Sequence, residues 1–303
     1  MTQLPNILVT GATGKQGGAV IQSLLNSDSP VPQFSITALT RSRNSAKAQS
    51  LATQPHVTLV EGNLDDVPAI FAQLPTPLYG VFSVQTAGKA AVEEKQGKDL
   101  IDAAIKAGVK HFVYSSVERG GPEKSDIDPT TIPHFISKFN IEKYLLATAV
   151  QMEHTIIRPV GFMDNFTPDF FGSAMSSMLK LSGVRNRFQL VSAKDIGNVA
   201  GLAFQRPADF KGKRISLAGD DLSWAEMDDI FKTVTGSGAP TTYHLIGYAL
   251  RWALSNQMDW FRDVGFGADV EDCRALVPGL LGFEEWLREE SGFQGLANRR
   301  VLC

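Results

Sequence analysis

Short runs of consecutive apolar residues alternate along the first half of the chain with segments whose apolar positions recur every three to four residues. Ile7–Val9 precedes Ala19–Leu25, Phe34–Leu39 precedes Ala46–Ala52, and Val57–Val60 precedes Val67–Leu74. Runs too short for a helix and apolar on both sides read as strands buried on both faces, with the intervening segments as crossover helices. The rhythm continues through Tyr79–Ser83, a long helix Ala90–Ala107 closed by Gly108, the run His111–Ser115, a helix near Ser137–Ala149 and the strand His154–Arg158. Six or seven parallel strands with helices on both faces predict an α/β, doubly wound parallel sheet of the Rossmann type.

Past Arg158-Pro159 the rhythm weakens. Gly161–Leu181 is rich in Phe, Met, Ser and Asp without a clean period, Phe188–Val191 and Arg214–Ala218 read as strands, and Ala193–Phe204 reads as a helix. From Leu222 to Phe293 the pattern is mainly helical and holds Trp224, Trp252, Trp260 and Trp286, a density that predicts a small packed subdomain. The expected division is residues 1–159, with returning segments near 188–220, as a nucleotide-binding domain, and 160–303 as a smaller, mainly helical domain closing a cleft.

One junction in this pattern carries specific chemistry. Asn6-Ile-Leu-Val-Thr-Gly11-Ala-Thr-Gly14-Lys-Gln-Gly17 runs from a strand through a glycine-spaced turn directly into a helix. Glycine at 11 permits the tight turn, glycine at 14 lets the backbone approach a phosphate, and glycine at 17 lets the helix pack against the strand. Gly11, Ala12, Thr13, Gly14, Lys15, Gln16 and Gly17 are therefore candidate ligands of a dinucleotide pyrophosphate, helped by the positive end of the helix dipole.

The second strand decides between cofactors. It ends Thr37-Ala-Leu-Thr40-Arg41-Ser42-Arg43, without the acidic residue that pairs with both ribose hydroxyls of NAD. A guanidinium at 41 instead suits the 2′-phosphate of NADP, which it can grip bidentately while stacking on adenine. Asn63 and Leu64, just past the third strand, are placed to flank the adenine. Ser83, Val84 and Gln85 follow the fourth strand, at the crevice where ribose and nicotinamide should run.

Composition narrows the remaining classes. A 303-residue chain with 43% hydrophobic residues can bury a large core in one or two domains. Its net charge of -3 provides no basic field for nucleic acid, so no direct contact with DNA or RNA is expected. Cys273 and Cys303 lack the spacing of a metal site, and no metal is expected. No apolar run is long enough to span a bilayer and no secretory signal opens the chain, so a soluble, cytoplasmic protein is expected.

Taken together, several motifs resemble the NmrA-like family of atypical short-chain dehydrogenase/reductases, which contains redox-sensing regulators and fungal reductases. They are Val9-Thr-Gly-Ala-Thr-Gly-Lys-Gln-Gly17, Leu39-Thr-Arg41, Glu61-Gly-Asn-Leu-Asp65, Gln96-Gly97-Lys98 followed by Asp102-Ala-Ala-Ile-Lys-Ala-Gly-Val-Lys-His-Phe-Val-Tyr-Ser-Ser116, and Ile157-Arg-Pro-Val-Gly-Phe-Met163-Asp-Asn165-Phe. The resemblance spans most of the length and loosens in the last third. It implies an NADP-preferring Rossmann domain and a C-terminal domain closing over the nicotinamide. It also implies that Val160, Gly161, Phe162 and Met163 lie beside the ring, with Asn165 and Phe166 near the cleft mouth.

Short-chain dehydrogenases pair a proton-transferring tyrosine with a lysine four residues later. Here Lys138 is retained, but His134 stands where the tyrosine should be. Lys138 would hold the cofactor ribose in any member, and in isoflavone-reductase-like relatives the lysine also transfers the proton. His134 is either a proton donor or a residue capping and packing the start of its helix. Two readings stay open: an NADPH-dependent reductase of a small, mostly apolar metabolite, or a non-catalytic NADP(H) sensor that regulates a protein partner.

Overall fold

A computed structural model describes residues 4–26, 33–85, 88–181, 187–243, 247–248, 252 and 255–294. Contacts divide the chain into two compact units: Met1–Val117, Asp128–Arg158 and Lys194–Ile215 form the first, and Glu118–Ile127, Pro159–Ala193 and Ser216–Cys303 the second.

In the first unit β1 Asn6–Val9, β2 Ser35–Thr40, β3 Val57–Glu61, β4 Leu78–Ser83, β5 His111–Ser115, β6 Glu153–Pro159 and β9 Arg214–Leu217 make one seven-stranded sheet. Its order is β3-β2-β1-β4-β5-β6-β9, reversing direction beside β1 as a doubly wound sheet does. The pairs β1·β2, β2·β3, β1·β4, β4·β5 and β5·β6 are parallel, as the continuous apolar runs require.

Strand alternation sends side chains to two helical layers. Leu8, Val81, Phe112, Tyr114 and Ile156 join a core with Leu100, Ile101 and Ala104 of α4 (Ala90–Lys106) and Ile141 and Leu145 of α6 (Pro133–Thr148). Tyr114 is thus a core residue, as its place in an apolar strand suggested. His111, one residue before Phe112, faces the other way and meets Phe204 of α8 (Ala193–Gln205) edge-on, with ring centroids 5.6 Å apart.

His111 is fully buried with Nε2 2.9 Å from Thr155 Oγ1, and burial pulls its pKa from 6.5 down to about 4. The folded state therefore binds fewer protons than the unfolded chain between these values, so stability is complete above pH 6.5 and falls as pH drops toward 4. The loss from this histidine should reach about 3 kcal/mol. His134 and His154, also held low by burial, act in the same direction. Urea midpoints measured across this window should fall with pH, less steeply in His111→Gln; midpoints that do not move would contradict the burial argument.

In the second unit β7 Gly161–Phe162, β8 Arg187–Val191 and β10 Asp220–Ser223 form a separate sheet, β8 pairing antiparallel with β10 and parallel with β7. Phe188–Val191 is therefore a strand as expected but does not return to the Rossmann sheet; the returning segment of the first unit is Lys194–Ile215. Helix α7, Phe170–Leu181, occupies the stretch without a clean period. Its first two residues, Phe170 and Phe171, are exposed, which breaks the apolar stripe a helix normally shows.

The core of this unit gathers Met163, Phe166, Met227, Phe231, Phe283 and Trp286. Trp260 is buried as well, and Trp224, half-buried, lies under Lys180 with Nζ 4.6 Å from its ring centroid. Packing thus accounts for three of the four tryptophans, whereas Trp252 is 81% exposed and belongs to no core. Cys273 is a buried free thiol; Cys303 lies outside the described residues. No described helix is long and apolar enough to cross a membrane.

Candidate functional site

At the end of β1 the hydroxyl of Thr10 donates to the carbonyl of Val84 (3.0 Å) and accepts from its N–H (2.8 Å), clamping the β1 and β4 ends together. The chain then turns at Gly11, whose φ of +60° suits glycine, and a Cβ there would press 2.8 Å from Val84 Cγ1. Helix α1, Lys15–Leu25, begins immediately. A Cβ on Gly17 would lie 2.4 Å from Gly11 O, 2.6 Å from Gly11 C and 2.7 Å from Thr10 O, so only glycine lets the helix sit this close to the turn. No side chain caps α1 and no acidic residue occupies its first turn, leaving its N–H groups and dipole open to an anion.

Gly11, Thr13 and Gly14 line a cleft of about 550 Å³ together with Leu39, Thr40, Arg41, Asn63, Leu64 and Val84. Sequence reasoning thus brought seven residues to one place: Gly11, Thr13, Gly14, Arg41, Asn63, Leu64 and Val84. The two arginines after β2 differ sharply. Arg43 donates from Nη2 to Leu59 O at 2.7 Å, and its backbone N–H donates to Glu61 at 2.8 Å, which ties it to β3. The exposed Arg41 guanidinium lines the cleft with no hydrogen bond or ion pair among the described residues. Asn63 Nδ2 donates to Asp65 (2.7 Å), which also accepts from Gln96 Nε2 (2.7 Å), bracing the wall opposite.

Other candidates lie beside or below the cleft. Ala12 is buried, and Lys15 and Gln16 occupy the first turn of α1. Gln16 Oε1 accepts from Ser115 Oγ at 2.6 Å. Ser83 is buried and accepts from Gln85 Nε2 at 2.9 Å, and the buried Gln85 carbonyl oxygen has no partner among the described residues.

Lys138 and His134 both lie on α6, which begins at Pro133, four residues before the expected start; proline suits the first helical position. The Lys138 ammonium pairs with Glu93 at 2.9 Å, and Ser137 Oγ donates to the other carboxylate oxygen at 2.6 Å. Glu93 is 1% exposed and lines the cleft. His134 packs edge-on against Phe135, centroids 4.7 Å apart. Burial lowers its pKa; Glu93 pulls it back up and Lys138 pushes it down. At neutral pH its imidazole is uncharged, so it is a poor acid.

Both serines after β5 are committed, Ser115 to Gln16 and Ser116 to Glu142, which forms a buried ion pair with Arg158 at 2.6 Å. Glu118, next along, belongs to the second unit. It is fully buried and accepts from the N–H groups of Gly120, Gly121 and Gly267 and from Ser125 Oγ, so it ties two loops together.

Val160, Gly161, Phe162 and Met163 also lie in the second unit. Val160 is buried and Gly161 and Phe162 are half-buried, but Met163 is fully buried in that unit's core, so its side chain is not available to line a ring. Asn165 is half-buried. Phe166 is likewise core rather than a rim residue, packed edge-on against Phe283 at 5.2 Å.

The sequence reading missed the cleft wall formed by α4. Lys89, Val92, Glu93 and Gln96 all line it, at the i, i+3, i+4, i+7 spacing of one helix face. That spacing was available, but polar residues on a helix usually mean a solvated surface.

The NmrA-like family model matches residues 4–258. The chain belongs to the NmrA-like family. Among curated relatives, the NmrA-like family domain-containing oxidoreductase himF of Aspergillus japonicus is 30% identical over 257 residues, covering 77% of this chain and 74% of the relative. Quinone oxidoreductase 2 of Escherichia coli is 27% identical over 254 residues, covering 80% and 78%. Among solved structures, NmrA, a negative transcriptional regulator crystallised with NADP, matches this NmrA-like chain with a TM-score of 0.71 at 22% identity, covering 99% and 98%.

Proposed function

We propose that the protein binds NADP(H) in the first unit and reduces a small, mostly apolar metabolite bearing a carbonyl, an imine or an activated double bond. The observation that carries this reading is the unpartnered Arg41 guanidinium lining one cleft with Gly11 and Gly14. A dinucleotide laid along that cleft would set its pyrophosphate on the N-terminus of α1, its adenine between Arg41 and Asn63-Leu64, and its 2′-phosphate on Arg41. The open carbonyl of Gln85 is an acceptor for its far end.

When bound, NADPH supplies a hydride to the electrophilic carbon of the acceptor. The chain supplies the rest: Lys138, an ammonium, holds the ribose and is a better proton source than the neutral His134. Names of relatives point to the acceptor class, since one is called a quinone oxidoreductase and another an oxidoreductase.

The test is NADPH consumption with a panel of quinones, aldehydes, imines and enones. At least one acceptor should drive steady oxidation, and Lys138→Met should lower kcat about 100-fold, the scale of a lost proton-transfer group. Saturable NADPH binding without oxidation by any acceptor would contradict the reductase and favour the sensor. One observation leans that way: Ser115 and Ser116 are both occupied, so the usual hydroxyl partner of a reductase site is missing.

A further inference from the structure

Helices α4 and α6 touch because Gly97 leaves room for Ile141; a Cβ at 97 would lie 2.5 Å from Ile141 Cδ1. One turn earlier on each helix, this closeness brings Glu93 against Ser137 and Lys138. Elsewhere along the seam the polar pairs are more open to water, Asn140 donating to Glu94 at 2.8 Å and Tyr144 to Asp102 at 2.7 Å. Only Glu93 faces inward with 1% exposure.

A buried ion pair is a weak source of stability, because desolvating both charges offsets most of their attraction. Two packed apolar side chains would hold the seam as well. The arrangement makes sense by what it does to the cleft. A lone carboxylate on a wall meant for a dinucleotide would repel its phosphates, and the Lys138 ammonium cancels that charge. In return Glu93 occupies one of the three ammonium N–H groups and fixes the direction of the other two.

We propose that Glu93 is a positioning residue: from α4 it locks the Lys138 ammonium so that two N–H groups are presented to the vicinal hydroxyls of the nicotinamide-side ribose. Ser137 completes the device by holding the second carboxylate oxygen. This inference rests on the reading of the first unit as an NADPH site.

The test is a double-mutant cycle read by NADPH titration of the full chain, using native protein, Glu93→Gln, Lys138→Met and the pair. Glu93→Gln should weaken NADPH binding about tenfold, the scale of one misdirected charge-assisted hydrogen bond. In the Lys138→Met background the same change should cost nothing or restore some affinity, since it removes a carboxylate with no counter-charge. Equal losses in both backgrounds, the signature of a merely structural role, would overturn the proposal, as would no loss in native protein.

Should Glu93→Gln fail to fold, Ser137→Ala asks the same question more gently. A loss of about threefold is expected in native protein and none beside Lys138→Met; no loss, or equal loss in both, overturns the proposal. The two layers separate cleanly. Native protein that does not bind NADPH sinks both, whereas binding without coupling sinks this one alone.

Discussion

Gly17→Ala is expected to abolish measurable NADPH binding and to lower folding stability by about 3 kcal/mol or more, the scale of forced overpacking. The new methyl would meet three backbone atoms within 2.7 Å, none of which can swing aside as a flexible side chain could. Helix α1 would have to slide off the turn, and its N–H groups would leave the cleft together. Gly18→Ala is the internal control. Its methyl would find Ala12 O at an ordinary 3.5 Å, and alanine is the better helix former by about 1 kcal/mol. Thermal unfolding and NADPH titration of the two variants should therefore diverge; a Gly17→Ala protein that binds NADPH normally would mean that the turn holds no phosphate.

Arg41→Ala is expected to weaken NADPH binding by about 1–3 kcal/mol while leaving NADH nearly unchanged. The asymmetry follows from what the guanidinium lacks: it has no partner within the described protein, so its removal costs the fold little and the 2′-phosphate much. Arg43→Ala should do the reverse. It breaks a bond to the Leu59 carbonyl, so a stability loss with unchanged cofactor preference is expected. Equal losses of NADPH and NADH on changing Arg41 would place that residue away from the 2′-phosphate.

The Rossmann sheet was legible because its strands are buried on both faces and its helices on one, so the pattern itself separates them. Helix α2 and strand β5 fall on their expected residues, Ala46–Ala52 and His111–Ser115. The glycine turn was legible for a related reason: backbone crowding at Gly17 leaves no substitute.

What escaped the sequence depends on tertiary partners that have no local period. Met163 and Phe166 read as cleft residues from their distance past β6, yet apolar side chains next to a forming core are drawn into it. The strand at Arg187–Val191 was visible, but strand patterning carries no label for the sheet it joins. Glu93 was hidden for the opposite reason. Its burial is created by Gly97 and Ile141 on two distant helices, and a glutamate in a charged helix looks solvated until the seam is known.

The account stands on a preference for NADP(H), and the most direct measurement is a titration of native protein with NADPH and NADH at matched ionic strength. The expected result is NADPH binding at least about tenfold tighter, the worth of one charge-assisted phosphate contact. Equal affinity for the two, or no binding of either, would contradict it.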